Sequence, residues 1–289
     1  MKTTRTTKCI AASLLSAAVM AGASVCAFAQ EQPEGYIVFA ADKNTICQGF
    51  VTEPVRVPFY EGEKAIDVVK RAADVIVTES DYGDYISAFA DPSPEEDIMF
   101  IEFPSQLLEV MPEEVYERTK AGYLSNYDFT PEAGWSFFIN DEYAQVGITD
   151  YSPEDGDVVW FRFTVYGYGC DLGIDNTSWG GNPAVVPQTD TAAIMTLIAD
   201  NAELSDTDEY KNAIAVLETY GASQADIDGA EKALAEAAAP EIPEDTAAPE
   251  DTETPETGKG SPDTGAEGIA AVVGVAVLAG AALALSKRR

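Results

Sequence analysis

The chain has 289 residues, which is long enough for two small domains, and its 50 acidic and 17 basic residues give a formal net charge of −33. A chain this acidic offers few of the basic patches that phosphate contacts require, so nucleic acid is not expected as a partner. It also contains no histidine, which excludes Ser-His and Cys-His nucleophile pairs and His-ligated zinc. These exclusions favour a protein that is not an enzyme and needs no cofactor.

Residues 1–29 have the composition of a secretory signal peptide. They begin with scattered basic residues and continue through an uncharged, largely apolar run at residues 11–26. They end in Ala27-Phe28-Ala29, a small-x-small cleavage site. Cys26 leaves a lipoprotein open as the alternative, although the residues before it match a lipobox poorly. The pattern predicts a secreted protein.

Residues 30–182 combine strand and helix patterns and are predicted to form one α+β domain. Residues 36–40 and 49–58 predict two strands, the second with Pro54 at a sheet edge or a bulge. Residues 64–77 have apolar positions at spacings of three and four, which predicts a helix.

The excursion at residues 81–130 has weaker patterns. Residues 98–103 predict a short strand. Residues 112–120 predict a helix, because Pro112 suits a first helical turn and the acidic pair after it suits the positive end of the helix. Residues 123–129 are expected to return to the sheet.

The strongest strand pattern lies in residues 134–173. Residues 135–139 alternate, Asn140-Asp141 marks a turn, and residues 145–148 are expected to pair back as a short strand. The next predicted strand has one wholly apolar face, expected to join the core, and one mixed face, expected to meet solvent or a partner. The apolar face comprises Val159, Phe161, Phe163 and Val165, and the mixed face comprises Val158, Trp160, Arg162 and Thr164.

Parts of this domain resemble a known family. The run from Gly134 through Gly156-Asp157 into the following strand, and the segment at residues 50–63, resemble the transcobalamin C-terminal-like domain family. This is a bacterial domain of unknown function in surface proteins, and the Tyr-Gly-Tyr-Gly-Cys-Asp-Leu-Gly run at residues 166–173 is similar to the ending of one subgroup. The resemblance implies a β-grasp-like fold, whereas the residue pattern alone implies only α+β. It also admits a corrinoid or another small ligand, because the related domain of transcobalamin covers one side of cobalamin.

The cysteines form two pairs. Cys9 and Cys26 leave with the signal peptide, so Cys47 and Cys170 remain, at the two ends of one domain. An even pair in a secreted chain suggests a disulfide, and the family usually has small residues at both positions. We therefore expect a Cys47–Cys170 disulfide, with two independent thiols as the alternative.

Residues 183–238 lose the strand pattern and gain alanine. Amphipathic spacing predicts a module of three helices, at residues 190–201, 206–219 and 223–238, the last beginning with a capping box. Three such helices can bury a small common core. Residues 210–215 and 227–234 resemble the FIVAR helical module of bacterial surface proteins. A plain three-helix stalk is the alternative that we favour.

The C-terminal region predicts anchoring. Residues 239–264 are rich in Pro, Glu, Thr and Ala, which predicts a disordered, solvated wall linker. At its end, Ser261-Pro262-Asp263-Thr264-Gly265 precedes an uncharged run at residues 268–285 and a basic tail. The run predicts a transmembrane helix, since its length suits a hydrocarbon core of roughly 30 Å.

The order of these parts over residues 261–289 resembles a sortase cell-wall sorting signal, with Ser261 where the usual motif has leucine. The resemblance implies that sortase attacks the Thr264–Gly265 bond and joins Thr264 covalently to peptidoglycan. A plain membrane anchor is the alternative. Either reading predicts a protein held on the outer cell surface, and the first predicts a Gram-positive type of cell wall.

Candidate ligand-binding residues collect near the last hairpins. Aromatic side chains with an arginine are typical of interface anchors, and this group comprises Trp135, Tyr143, Trp160, Arg162, Tyr166 and Tyr168. We expect a displayed binding or adhesion domain with a protein or glycan partner; the alternative is a small-ligand binder of the corrinoid type. No metal site is predicted, because the nearby acids lack the EF-hand spacing and suit a hairpin turn better; they are Asp150, Glu154, Asp155 and Asp157.

Overall fold

The computed structural model describes residues 32–81, 83–91, 101–111 and 115–239. In chain order these residues form β1 (Gly35–Asp42), β2 (Phe50–Phe59), α1 (Ala65–Ala72), β3 (Val75–Thr78), β4 (Tyr85–Ala90), α2 (Ser105–Leu108), β5 (Tyr123–Ser125), β6 (Gly134–Ile139), β7 (Glu142–Tyr143), β8 (Val158–Thr164), α3 (Ala192–Asp200), α4 (Asp208–Glu218) and α5 (Gln224–Ala238). The protein is therefore α+β. The predicted signal peptide, wall linker, sorting motif and membrane-spanning run lie outside the described residues. Among the helices that are described, none combines the length and apolar composition needed to cross a bilayer.

The larger sheet has five strands in the order β2-β1-β8-β6-β7. Its central strands, β1 and β8, run parallel, and the other neighbouring pairs are antiparallel. The predicted position of Pro54 is confirmed: β2 is an edge strand, and its register against β1 slips between the partners Val55 and Thr52. Proline cannot donate a backbone hydrogen bond to a neighbouring strand, and at a sheet edge or a bulge none is required.

The smaller sheet has three strands, β3-β4-β5, all antiparallel. The predicted helix at residues 64–77 is too long, because α1 ends at Ala72 and residues 75–78 form β3. The β-branched run Val75-Ile76-Val77 favours a strand and pairs with β4. Residues 123–125 likewise join this smaller sheet and not the larger one.

Two other sequence predictions fail for reasons visible in the backbone, and a third fails over the residues that are described. Residues 115–120 are not helical, since the Tyr116 N–H donates to the Phe129 carbonyl and the Thr119 N–H donates to the Asp128 carboxylate. Residues 145–148 form no strand, because the partner of β6 ends at Tyr143 and a turn follows. Residues 101–103, the described part of the predicted strand at 98–103, have no regular structure.

Both faces of the larger sheet are buried. One face packs its apolar side chains, including Phe39 and Phe161, against α1 and the smaller sheet. The other face, including Val38 and Trp160, packs against α3, α4 and α5. The prediction that the mixed face of β8 meets solvent or a partner was wrong. The chain's own helices α3, α4 and α5 cover this face. The apolar face of β8 is buried as expected.

The three predicted helices in residues 183–238 are confirmed as α3, α4 and α5. The capping box also forms, with the Ser223 hydroxyl accepting from the Asp226 N–H at 3.2 Å. The apolar residues of these three helices do not form a separate core. Ile194, Leu217 and Ile227 belong to one cluster with Val38 and Trp160 of the sheet. The predicted domain boundary after residue 182 therefore separates two segments that share one hydrophobic core.

Candidate functional site

Trp160 is buried in the interior of the protein, and Arg162 packs against it with part of its side chain exposed. The Trp160 side chain is only 5% exposed, and the guanidinium carbon of Arg162 lies 4.2 Å from its ring centroid. Arg162 also pairs with the fully buried Asp42, with 3.3 Å between Nε and Oδ2. Burial raises the pKa of Asp42, and the positive charge of Arg162 opposes that shift. The cavity beside these residues has a volume of about 30 Å³, which holds no more than a few water molecules and is too small for a corrinoid.

The other predicted binding residues do not form one surface. Trp135 is partly buried against the core, with its indole N–H donating to the Leu124 carbonyl at 2.9 Å. Tyr143 is 41% exposed on the edge strand β7, against Phe138. Tyr166 is half-buried beyond the end of β8. Tyr168 alone of the six is largely exposed, at 68%.

The predicted Cys47–Cys170 disulfide is absent, and both residues are free thiols. Cys47 is exposed after a short 3₁₀ turn, near the carboxylate of Glu102, whereas the buried Cys170 thiol donates to the Asn182 carbonyl at 3.1 Å. The two sulfur atoms therefore occupy different environments. Burial raises the pKa of the Cys170 thiol, and partial desolvation together with the nearby Glu102 charge raises that of Cys47.

Three loops converge on the peptide groups of Gly167, and we call them the aromatic tip: residues 126–133, 166–169 and 175–182. The Gly167 N–H donates to Glu132 Oε2 at 2.7 Å, and its carbonyl accepts from Asn176 Nδ2 at 2.8 Å. A third hydrogen bond, donated by the Thr130 hydroxyl to the Val165 carbonyl at 2.6 Å, joins the first loop to the end of β8. Gly167 has a φ of 63°, and a Cβ there would lie 2.7 Å from the Cys170 Cβ, so a larger residue would break the junction.

Each loop of the aromatic tip carries one exposed aromatic side chain: Tyr127 (60%), Tyr168 (68%) and Trp179 (90%). Tyr127 and Tyr168 also have left-handed backbones, with φ of 68° and 54°. Such a conformation is strained for a bulky residue, and a largely exposed ring returns little burial energy to offset it. Stability therefore does not explain these side chains, and strained residues cluster at functional sites.

Trp179 is the functional candidate that the sequence analysis overlooked. It lies in Asn176-Thr177-Ser178-Trp179-Gly180-Gly181, where no other residue is large and apolar. A tryptophan without apolar neighbours in sequence has no pattern that would bury it. That signal could have identified it as an exposed ring.

Asp171 holds the second loop in place. Its carboxylate accepts from the Thr164 hydroxyl and from the N–H groups of Val165 and Tyr166, at 2.5, 2.7 and 3.1 Å. The Tyr220 hydroxyl donates to the Asp171 carbonyl at 2.8 Å, which connects the loop to the helical segment. Burial raises the pKa of Asp171 to about 6, and its hydrogen bonds oppose the shift.

A buried ionic network supports the first loop. Lys43 Nζ lies 2.6 Å from Asp91 Oδ1, and both side chains are 1% exposed. Arg118 extends the network, with NH1 3.3 Å from Asp91 Oδ2 and Nε 3.9 Å from Asp128 Oδ2. Asp128 is fully buried and also accepts from the Ser125 N–H at 2.7 Å. Asp128, which follows Tyr127 in the chain, is therefore held in place by an ion pair and by hydrogen bonds.

Asp157, one of the four acids near this hairpin, has its hydrogen-bond partners within the turn. The Asp157 carboxylate accepts from the Tyr151 hydroxyl at 2.6 Å, from the Glu154 N–H at 2.7 Å and from Asn140 Nδ2 at 2.9 Å. These bonds close the turn before β8, as the hairpin interpretation requires. Within the described ranges, no group of three or more Cys, Asp or Glu side chains is placed to hold a metal ion.

Comparison with known proteins gives one partial match. No curated protein matches the chain. A family model described as "Domain of unknown function (DUF4430)" matches residues 115–165, which include β5 to β8 and the first loop of the aromatic tip. The match covers well under half of the chain. Residues 115–165 are therefore similar to a transcobalamin-like family of unknown function.

Proposed function

We propose that this chain is a non-enzymatic surface protein that sortase attaches covalently to the cell wall and that recognises its target through the aromatic tip. The tip carries the proposal, because its three exposed rings include two on strained backbone. Exposed aromatic side chains on loops held by a rigid scaffold are typical of binding surfaces. A packed sheet and two buried charged groups, Asp171 and Asp128, provide that scaffold here.

The terminal sequences support the location. A signal peptide at residues 1–29 would export the chain, and the sorting signal at residues 261–289 would retain it outside the cell. The acidic linker at residues 239–264 would carry the folded part away from the membrane, since Pro-rich chains extend about 3 Å per residue. The strand order, with the first and last strands parallel at the centre and α1 after the second strand, supports a β-grasp-like architecture.

Cell fractionation tests the anchoring. We expect the protein to leave the producing cell's wall only after muramidase digestion, with Thr264 as its C-terminal residue joined to a wall peptide. Thr264→Ala should shift it to the membrane fraction, because the bond that sortase attacks is altered. Recovery from the cytosol of protein that still carries residues 281–289 would overturn the proposal.

A corrinoid ligand is the second candidate, and the match of residues 115–165 to a transcobalamin-like family favours it. The small cavity beside Trp160 argues against that site, so a corrinoid would have to bind elsewhere. Calorimetric titration of the full chain with cobalamin separates the two: heat that saturates at one equivalent would support the alternative, and no heat would remove it.

A further inference from the structure

We propose that the ligand of the aromatic tip is a neutral glycan whose sugar rings stack on Trp179 and Tyr168. This inference rests on the proposed function and names the chemical class of its target. It depends on three properties of the tip: the openness of its rings, the sign of its charges and the polarity of the residues around Trp179.

The rings are open platforms. Trp179 is 90% exposed and Tyr168 is 68% exposed, so neither ring is enclosed by its neighbours. An enclosed aromatic cage is the arrangement that suits a quaternary ammonium group. Open rings instead suit a flat ligand that covers one face, and the C–H face of a sugar ring has that shape.

The charges of the tip exclude anionic ligands. Residues 126–133 and 166–182 contain no lysine or arginine, and their acids are Asp128, Glu132, Asp171 and Asp175. Asp175 is exposed in the same loop as Trp179, and hydrogen bonds from the Thr177 hydroxyl and N–H lower the pKa of its carboxyl, which therefore stays ionised. Phosphate polymers and acidic sugars would be repelled. A neutral glycan meets no such repulsion.

The surroundings of Trp179 suit a hydroxylated ligand better than a protein. Its neighbours Thr177, Ser178 and Gly180 are exposed and offer hydroxyl and peptide groups. A protein hot spot is normally ringed by contacts that exclude water, and such a ring is missing around Trp179 in the described part of the chain. A sugar supplies both a C–H face for the indole and hydroxyls for the polar rim.

The loop is also organised before any ligand arrives. The Asn176 carbonyl accepts from the Trp179 N–H at 3.0 Å and from the Gly181 N–H at 2.9 Å, and the Asn176 N–H donates to the Asn182 carbonyl at 3.0 Å. With the bond from Asn176 Nδ2 to Gly167, the side chain and backbone of one residue fix the loop. Preorganisation of this kind lowers the entropy lost on binding.

The test measures retention of the full chain, in detergent micelles, on insoluble chitin, starch and mannan, with heparin and polylysine beads as charged probes. We expect retention on at least one neutral polysaccharide and none on heparin. Trp179→Ala should weaken that retention roughly tenfold, Trp179→Phe should weaken it less, and Tyr168→Ala should weaken it measurably. Tyr85→Ala is the matched control: it removes an exposed ring on β4, 37% exposed, and should change nothing.

Several outcomes would overturn the inference: no retention on any of the three neutral polysaccharides, retention on them that Trp179→Ala leaves intact, or retention on polylysine that Trp179→Ala weakens. Circular dichroism of each variant shows whether it is folded, and a 90% exposed side chain can be removed without opening a cavity. If fractionation still finds the protein covalently bound to the wall, only the glycan inference fails. If the protein is not on the cell surface, the proposed function fails.

Discussion

The carboxylate of Asp141, in the turn between β6 and β7, accepts hydrogen bonds from the backbone N–H of Thr191 and its hydroxyl. A third bond comes from the Ala192 N–H, and the two backbone bonds are 2.9 Å long. These N–H groups belong to the first turn of α3, which has no capping side chain of its own. The hairpin therefore supplies the cap for a helix 50 residues later. This is one physical reason why the helical segment and the sheet share a core.

Asp141→Gly should destabilise the protein by about 1 kcal/mol, the usual effect of losing an N-cap. Glycine suits the left-handed backbone at this position, where φ is 66°, so the turn itself should not suffer. Urea unfolding measures the difference, with Glu142→Gln as a control that removes one negative charge from the same hairpin. Equal stability of the two variants would contradict the capping role.

Trp160→Ala should destabilise the protein by about 3–5 kcal/mol, because it leaves a large cavity under α3, α4 and α5. Tyr143→Ala should cost under about 1 kcal/mol, since that ring is 41% exposed at the sheet edge. Urea unfolding of both variants tests this order. Similar small losses would mean that the helices do not cover the sheet face as described.

Replacing one member of the Lys43–Asp91 pair should cost about 3–5 kcal/mol, because the remaining charge stays buried. Lys43→Met removes one of the two cations paired with Asp91, and Asp91→Leu leaves an excess positive charge. The double variant restores the balance between Arg118 and Asp128, so its loss should be smaller than the sum of the single losses. A double-mutant cycle by urea unfolding measures the coupling, and strict additivity would disprove it.

Asp171 should make a contribution to stability that falls as the pH rises. Its pKa is about 6 in the folded protein and has an ordinary value of 3.8, so the folded state binds more protons between these values. Stability from this group is therefore greatest below pH 3.8 and declines through about pH 6. An NMR titration of the Asp171 carboxyl carbon should show a midpoint near 6. A midpoint at or below 3.8 would contradict the desolvated environment.

Cys47 should react with a thiol reagent in the folded protein, and Cys170 should react only after unfolding, because one is exposed and the other buried. In a chain that begins at Gln30, alkylation without reductant should label one thiol in buffer and two in urea. Peptide mass spectrometry assigns each label. If neither thiol reacted in urea until a reductant was added, the two cysteines would be shown to form the predicted disulfide.

Much of the fold could be predicted from local pattern. The strands at residues 36–40, 49–58 and 158–165, the three late helices and the bulge at Pro54 all follow from periodicity or from the chemistry of one residue. The excursion could not be predicted in the same way. Arg118 and Asp128 direct the backbone there through pairings with distant residues such as Asp91, and these pairings leave no local periodicity.

For the candidate site, the sequence by itself determined that aromatic residues gather late in the domain and that acidic residues far outnumber basic ones. Only the tertiary structure decided which rings are available. Trp160 is core because the chain's own helices cover the mixed face of β8, whereas Tyr127, Tyr168 and Trp179 stay exposed on three loops that meet at Gly167. Exposure depends on which distant segments pack over a residue, and alternation along one strand does not contain that information.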